Sequence, residues 1–329
     1  MAESPASSER QLRRILKQTK RRPRFNIAVP SEEQKDPGAL CQWTSGDGKR
    51  FFPAARTFES LVPGVYEIKM DHMKGINFEL IPVNTKNLIR FPDSNSDRVI
   101  SEIQKFWDRE ELFRVCEIAH KRGILLHGPP GSGKSSTIQL IVEDVVEGRN
   151  GAVFKFDNPE LFSDGLRTFR EIQPDTPIVV LMEDLDSILD MYDESEVLNI
   201  LDGVDDIDKV VFLGTTNFPE VLQERFLNRP SRFDRRFHMP HPTAEHRKIY
   251  FSHLKSGKED VIAAANVTID IDRWVKDTDE MSIAHCKELF ISSVIFGNEY
   301  KSVVKELQEL NEDRPNSKFD KKSKFGLHQ

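Results

Sequence analysis

Residues 123–136 read GILLHGPPGSGKSS, an apolar run followed directly by a loop rich in glycine and proline. The loop contains the pattern GxxxxGK[ST], between a predicted strand and a predicted helix over residues 137–146. Its glycines let backbone N–H groups close around phosphate oxygens, and the helix directs its positive end toward them. The lysine and hydroxyl after the last glycine favour a triphosphate site over a dinucleotide GxGxxG fingerprint. The predicted phosphate-binding residues are Gly128, Pro129, Pro130, Gly131, Ser132, Gly133, Lys134, Ser135 and Ser136.

Two carboxylates follow the apolar segment at residues 178–182, namely Glu183 and Asp184. Acids at the carboxyl end of a strand lie where open α/β sheets bind their ligands. One acid can hold Mg²⁺, together with Ser135, while the other positions or deprotonates the attacking water. Acids at such places also serve as helix caps, but the phosphate loop upstream favours catalysis. The sequence therefore predicts a nucleoside triphosphate and Mg²⁺ as ligands, with Lys134 reaching the β- and γ-phosphates.

A neutral polar residue, Asn217, follows another predicted strand at residues 210–213. It could hydrogen-bond the γ-phosphate or the attacking water, or it could simply be a turn residue before Phe218 and Pro219. Residues 225–236 then contain five arginines. They form either a solvated face or a phosphate-binding patch, where an arginine can accelerate phosphoryl transfer by ~10³–10⁵.

The composition excludes several classes of protein. The chain has 329 residues, of which 38% are hydrophobic and 31% charged, and no apolar run approaches the ~20 residues of a membrane span. A formal charge of −7 argues against nucleic-acid binding by the whole surface. The three cysteines, Cys41, Cys116 and Cys286, form no CxxC pair, so neither a disulfide framework nor a structural zinc site is expected. We expect a reducing compartment, most simply the cytosol.

Pattern changes along the chain predict five regions. Residues 1–24 form a basic arm, and residues 25–91 a small β-rich module with a hairpin of strands 65–70 and 76–83. A polar linker at residues 92–97 leads to an α/β domain at 98–240, with a parallel sheet covered by helices. A helical domain at 241–309 and a charged tail at 310–329 complete the chain.

The order GPPGSGKS, VVLMED, GTTN and RPSRFDRRF resembles the AAA subfamily of AAA+ ATPases, from about residue 98 to residue 297. The resemblance implies a P-loop NTPase sheet with a helical lid, assembled as a ring, usually of six subunits. It implies that Arg229 and Arg232 reach the nucleotide site of the neighbouring subunit. In the family a Ser-Gly-Ala stretch of the lid contacts adenine; the matching stretch here is residues 278–284, where Ile283 replaces the glycine.

Two departures from the family pattern concern mechanism. The acids stand as Glu-Asp instead of Asp-Glu, so the resemblance assigns Mg²⁺ to Glu183 and water activation to Asp184. The segment at residues 157–177 is short and lacks an aromatic-hydrophobic-Gly pore loop; Leu161 and Phe162 are the nearest candidates, although core packing suits them better. With residues 198–204, these departures resemble the mitochondrial Rieske-protein translocase branch, whose N-terminal membrane helix this sequence lacks.

Three functions are compatible with this sequence. The first is an ATP-driven ring that remodels or moves a protein partner; the eleven acids between residues 183 and 208 would then form either a solvated face or a negative channel lining. The second is a nucleic-acid loader that uses the basic residues 10–24, although a solvated arm is the favoured interpretation of these residues and a transit peptide is a further alternative. The third is a switch that assembles on ATP and hydrolyses it slowly. No HExxH motif is present, so a fused zinc protease is not expected.

Overall fold

The computed structural model describes residues 42–44, 52–54, 57–72, 75–82, 89–92, 94–203, 208–222, 232–264 and 267–312. The predicted basic arm at residues 1–24 and the tail beyond residue 312 lie outside the described residues. The chain divides into two units, residues 1–62 and residues 63–329. In the first unit, β1 (Gln42–Thr44) and β2 (Phe52–Ala54) pair antiparallel.

A seven-stranded sheet forms the centre of the second unit. Its strands are β3 (Gly64–Asp71), β4 (Gly75–Ile81), β5 (Lys121–His127), β6 (Ala152–Lys155), β7 (Ile178–Met182), β8 (Val210–Thr216) and β9 (Arg235–His238). The strand order is β4-β3-β6-β7-β8-β5-β9, and every neighbouring pair is parallel except β3 with β4. All residues of β7 and β8 are buried, as expected for strands covered on both faces. The predicted α/β fold with a largely parallel sheet is confirmed.

The hairpin of β3 and β4 belongs to this sheet and not to a separate module. The hairpin itself is confirmed, but β3 also pairs with β6, from Gly64 opposite Ala152 to Glu67 opposite Lys155. Val65 and Tyr66 are buried in the sheet. The predicted boundary at residue 91 is therefore wrong for the hairpin, because an isolated two-stranded hairpin buries too little apolar surface to be stable alone.

Six helices among the described residues accompany the strands of the sheet. They are α1 (Asn95–Trp107), α2 (Glu110–Val115), α3 (Lys134–Arg149), α4 (Pro159–Ile172), α5 (Leu185–Met191) and α6 (Glu194–Gly203). Apolar residues of α1 and α3 pack on one face of the sheet, and Phe169 of α4 contacts Phe154 on the other. The predicted linker is corrected at residues 94–97, because the Ser94 side chain accepts a hydrogen bond from the Asp97 amide and so caps α1.

The C-terminal helices build a second apolar core. They are α7 (Ala244–Lys255), α8 (Glu259–Ala264), α9 (Ile271–Asp277), α10 (Ile283–Phe290), the π-helical turn Ile291–Ile295 and α11 (Tyr300–Glu312). Trp274 and Phe251 lie at its centre with their rings edge to face, 5.3 Å apart. Among the helices that the structure describes, none is long and apolar enough to cross a membrane.

Candidate nucleotide-binding site

The phosphate loop connects β5 to α3, the placement that the sequence predicts. Gly133 is the last residue before α3, and Lys134 begins the helix. The Gly128 amide donates to the Thr216 carbonyl (3.3 Å), which ties the loop to β8. The N-terminus of a sixteen-residue helix therefore faces the loop that would hold phosphate.

Two glycines of the loop are required by the local geometry. A Cβ on Gly128 would come within 2.1 Å of the Met239 carbonyl oxygen. Gly131 has a φ of 73°, and a Cβ there would come within 2.6 Å of the Ser282 hydroxyl. A side chain at either position would displace neighbouring atoms, so the loop keeps its shape only with glycine.

Lys134 is buried and its ammonium group points into the loop. Nζ donates to the carbonyl oxygens of Gly128 (2.7 Å) and Pro129 (3.0 Å) and to Oδ1 of Asn217 (2.6 Å). Burial lowers the pKa of Lys134, and the negative charges of Asp184 and Asp186 act in the opposite direction. A buried cation is thus held at the position where the β- and γ-phosphates are expected.

Further groups at the loop suit an anionic ligand. The Ser132 hydroxyl oxygen is buried and has no hydrogen-bond partner among the described residues, so a ligand oxygen can satisfy it. Burial lowers the pKa of His127, and the nearby His238, Arg236 and Lys134 lower it further. Ser135 and Ser136 are exposed in the first turn of α3, and Pro130 is exposed in the loop. These cationic and hydrogen-bonding groups suit the negative charge of a polyphosphate.

The acid pair follows β7 as predicted. Glu183 and Asp184 are both exposed, and Asp184 has left-handed backbone angles (φ 50°, ψ 57°) directly before α5. Asn217 lies directly after β8, the neighbour of β7, and reaches Lys134. The structure therefore brings the loop lysine, the acid pair and the asparagine to the same edge of the sheet.

Only one of the two predicted arginines lies among the described residues. Arg229 lies outside the described residues. Arg232 is buried, and its guanidinium is bonded within its own chain to both carboxylate oxygens of Asp202. Its proposed reach into a neighbouring subunit stays a prediction.

The lid stretch singled out by the resemblance lies against the phosphate loop. Ser282 and Ala284 are the side chains nearest to Gly131. Ile283, which replaces the family's glycine, packs instead against the apolar core of the C-terminal helices. Phe162, the weak candidate for a pore residue, is buried in α4, in agreement with a packing role.

Three site residues were missed by the sequence analysis: Asp186, Thr215 and Thr216. Thr215 accepts a hydrogen bond from the Asp184 amide (3.0 Å), and Thr216 donates to Oδ1 of Asp186 (2.8 Å). The available signals were a third acid two residues after the pair and two consecutive hydroxyls at a strand end. Neither signal identifies its partner, which lies about thirty residues away in the chain.

Comparisons with known proteins agree with this geometry. Residues 124–241 match the family described as "ATPase family associated with various cellular activities (AAA)". The 26S proteasome regulatory subunit 8 homolog B of Arabidopsis thaliana is 30% identical over 197 residues, 50% of this chain and 46% of that protein. A Cell division cycle protein 48 homolog of Archaeoglobus fulgidus is 30% identical over 165 residues (44% and 22%). Proteasome-activating nucleotidase 2 of Haloferax volcanii is 26% identical over 225 residues (62% and 52%).

The chain spans about half the length, or less, of these relatives. The matched residues nevertheless run from β5 through the phosphate loop, the acid pair and Asn217 to the end of β9. The part of the chain that carries this site is therefore similar to the AAA family of ATPases.

Proposed function

We propose that this chain binds ATP with Mg²⁺ and hydrolyses the γ-phosphate. The observation that carries the proposal is the 2.6 Å contact between Lys134 and Asn217, which joins the phosphate loop to the strand beside the acid pair. A loop that only bound phosphate would not need an acid and a neutral amide at its edge. The match of residues 124–241 to an ATPase family supports the same reaction.

The proposed mechanism gives each side chain one task. Lys134 stabilises the negative charge that develops on the β- and γ-phosphate oxygens. Asp184 accepts the proton of the attacking water, and Asn217 orients that water or the γ-phosphate through its amide. For the phosphate to reach Lys134, the lysine must exchange some of its present hydrogen bonds for phosphate oxygens.

The residues at the site fit a magnesium ion. Ser135 and Glu183 would hold Mg²⁺, which when bound neutralises charge on the phosphates. Both side chains are exposed oxygen donors, the type that Mg²⁺ prefers. The described residues contain no group of three His, Cys, Asp or Glu side chains able to hold a metal alone. This agrees with an ion held by one or two protein oxygens plus phosphates and water.

Phosphate release from ATP tests this function directly. The wild-type chain should release phosphate only with Mg²⁺, and Lys134→Ala should remove this activity together with ATP binding measured by calorimetry. The matched control is Lys301→Ala, which removes an exposed lysine of α11. A folded Lys134→Ala variant that binds ATP with unchanged affinity would contradict the site assignment.

For the whole protein, we propose a head-to-tail ring, of six subunits by resemblance, that uses ATP to remodel a protein partner. Relatives named as a proteasome regulatory subunit and a proteasome-activating nucleotidase support a protein substrate. The partner should be captured by an Asp184→Asn variant loaded with ATP, and not by Lys134→Ala. Salt-sensitive binding of DNA or RNA that is lost on deleting residues 1–24 would instead favour a nucleic-acid loader.

Two finer assignments belong to the same proposal. The Glu183-Asp184 order and the short segment at residues 157–177 support kinship with the Rieske-protein translocase branch.

Cys116 and Cys286 are both free thiols, and this supports function in a reducing compartment such as the cytosol. If the chain hydrolyses ATP in oxidising buffers but not in buffers that contain a reductant, the assignment to a reducing compartment would be contradicted.

A further inference from the structure

The side chains of the last two residues of β8 form hydrogen bonds to the turn that carries the acid pair. The hydroxyl oxygen of Thr215 accepts a hydrogen bond from the Asp184 amide (3.0 Å). The hydroxyl of Thr216 donates to Oδ1 of Asp186 (2.8 Å). Consecutive residues of a strand point to opposite faces, so the two hydroxyls hold the turn from both sides of the sheet.

The Thr216 hydroxyl has a second partner. Its oxygen accepts a hydrogen bond from the Phe218 amide (3.0 Å) and so closes a turn around Asn217. One hydroxyl therefore orders both the turn after β7 and the turn after β8. Thr215, Thr216 and Asp186 are all at least nine-tenths buried, and the bond between Thr216 and Asp186 is fully shielded from water.

The backbone at Asp184 needs such support. A φ of 50° and ψ of 57° place it in the left-handed region, which is unfavourable for residues other than glycine. A strained backbone persists only where its surroundings hold it, and here the Thr215 hydroxyl bonds the amide of the strained residue itself. The Asp184 carbonyl also accepts hydrogen bonds from the Ser187 (2.8 Å) and Ile188 (3.2 Å) amides at the start of α5.

We infer that Thr215, Thr216 and Asp186 are positioning residues. They hold the Asp184 carboxylate and the Asn217 amide in fixed positions relative to each other at the nucleotide site. The inference rests on the proposed ATP hydrolysis, because it assigns the water-activating role to Asp184. None of the three residues touches the nucleotide in this assignment. They act through the two groups that do.

Thr215→Val tests the inference with little loss of volume. It should lower kcat by about 10–100-fold, since small displacements of a catalytic group have effects of this size. The dissociation constant for ATP should change by less than about twofold, because Lys134 and the loop glycines are untouched. Thr215→Ser, which restores the hydroxyl, should recover most of the rate. Thr168→Val, which removes a hydroxyl from α4, is the matched control.

A double mutant separates positioning from a general loss of structure. In an Asp184→Asn background, where the group being positioned is already disabled, Thr215→Val should lower the residual single-turnover rate no further. An equal loss in both backgrounds would overturn the inference. So would a Thr215→Val variant with the wild-type kcat.

Hydrogen exchange keeps this test independent of turnover. A peptide spanning residues 183–186 should exchange its amides faster in Thr215→Val than in the wild-type chain. Equal exchange would overturn the inference even if the enzyme is active. A wild-type chain that hydrolyses no ATP would overturn the proposed function, and the exchange measurement would still decide whether the threonine holds Asp184.

Discussion

Arg232 and Asp202 form a bidentate ion pair within one chain. Nε of the arginine donates to Oδ1 (2.9 Å) and Nη2 donates to Oδ2 (2.6 Å). The arginine side chain is only 5% exposed, whereas the Asp202 side chain is 37% exposed, so the pair lies at the border between interior and solvent. Paired donors to a carboxylate are among the stronger and more directional hydrogen bonds in proteins. An Arg232 that acts on a neighbour's nucleotide must therefore leave Asp202 for phosphate.

Arg232→Ala should leave ATP binding by an isolated subunit nearly intact while turnover falls by about 10³-fold, since the lost charge acts on the transition state. Arg229→Ala should behave in the same way. Mixing inactive Arg232→Ala subunits with inactive Lys134→Ala subunits should restore part of the phosphate release. Partial recovery is expected because some interfaces would pair an intact arginine with an intact phosphate loop.

The control for this experiment is thermal stability, because Arg232→Ala also removes two hydrogen bonds to Asp202 within the same chain. If Arg232→Ala lowers the melting temperature and verified mixed rings show no recovery, the arginine serves its own chain only. Full activity at dilutions where only monomer exists would also contradict a role in trans.

Variants of the two acids, Glu183 and Asp184, should have different phenotypes. Asp184→Asn should retain ATP with Mg²⁺ but lose turnover, because an amide cannot accept the proton of water. Glu183→Gln should instead raise the Mg²⁺ concentration needed for half-maximal phosphate release. Titrating Mg²⁺ in both variants distinguishes the roles, and the reversed pair of phenotypes would mean that the roles are exchanged.

We expect Arg170 to stabilise the loops that precede β7 and β8. Its guanidinium donates to the backbone carbonyls of Gln173, Pro174, Thr176, Asp208 and Lys209. Burial lowers the pKa of Arg170 to about 10. Arg170→Met should reduce the free energy of unfolding by about 2 kcal/mol, because several carbonyls lose their donor. Urea denaturation measures this loss, and Arg167→Met on the exposed face of α4 should change it little.

His120 should make the fold sensitive to mild acid. Burial lowers its pKa, opposed in part by its hydrogen bond to the Phe106 carbonyl, and its Nδ1 is buried without a hydrogen-bond partner among the described residues. The unfolded chain then binds more protons than the folded chain below about pH 6.5, so stability is lost as the pH falls through that range.

Melting temperatures measured across this pH range should therefore fall less steeply for His120→Gln than for the wild-type chain. His253→Gln removes an exposed histidine of α7 and is the matched control. Parallel curves for wild type and His120→Gln would show that another group carries the acid sensitivity. His127 is the next candidate, since burial lowers its pKa as well.

Local patterns in the sequence were sufficient to predict most of the nucleotide site. The phosphate loop is one continuous stretch whose function depends on backbone shape and on a lysine at a fixed spacing, so its residues identify it without knowledge of the fold. Strands β7 and β8 are short apolar runs, and the carboxyl ends of parallel strands meet at one edge of a sheet. That rule alone brings Glu183, Asp184 and Asn217 together.

Only the tertiary structure decided which distant residues become partners. The hairpin at β3 and β4 is visible in the sequence, but its pairing with β6 is not, because β6 lies some seventy residues beyond the hairpin and parallel pairing leaves no local mark. Asp202 and Thr216 are ordinary polar residues until folding places them beside the buried side chains of Arg232 and Asp186. Burial removes water as an alternative partner, and the cost of an unpaired polar group then selects these contacts.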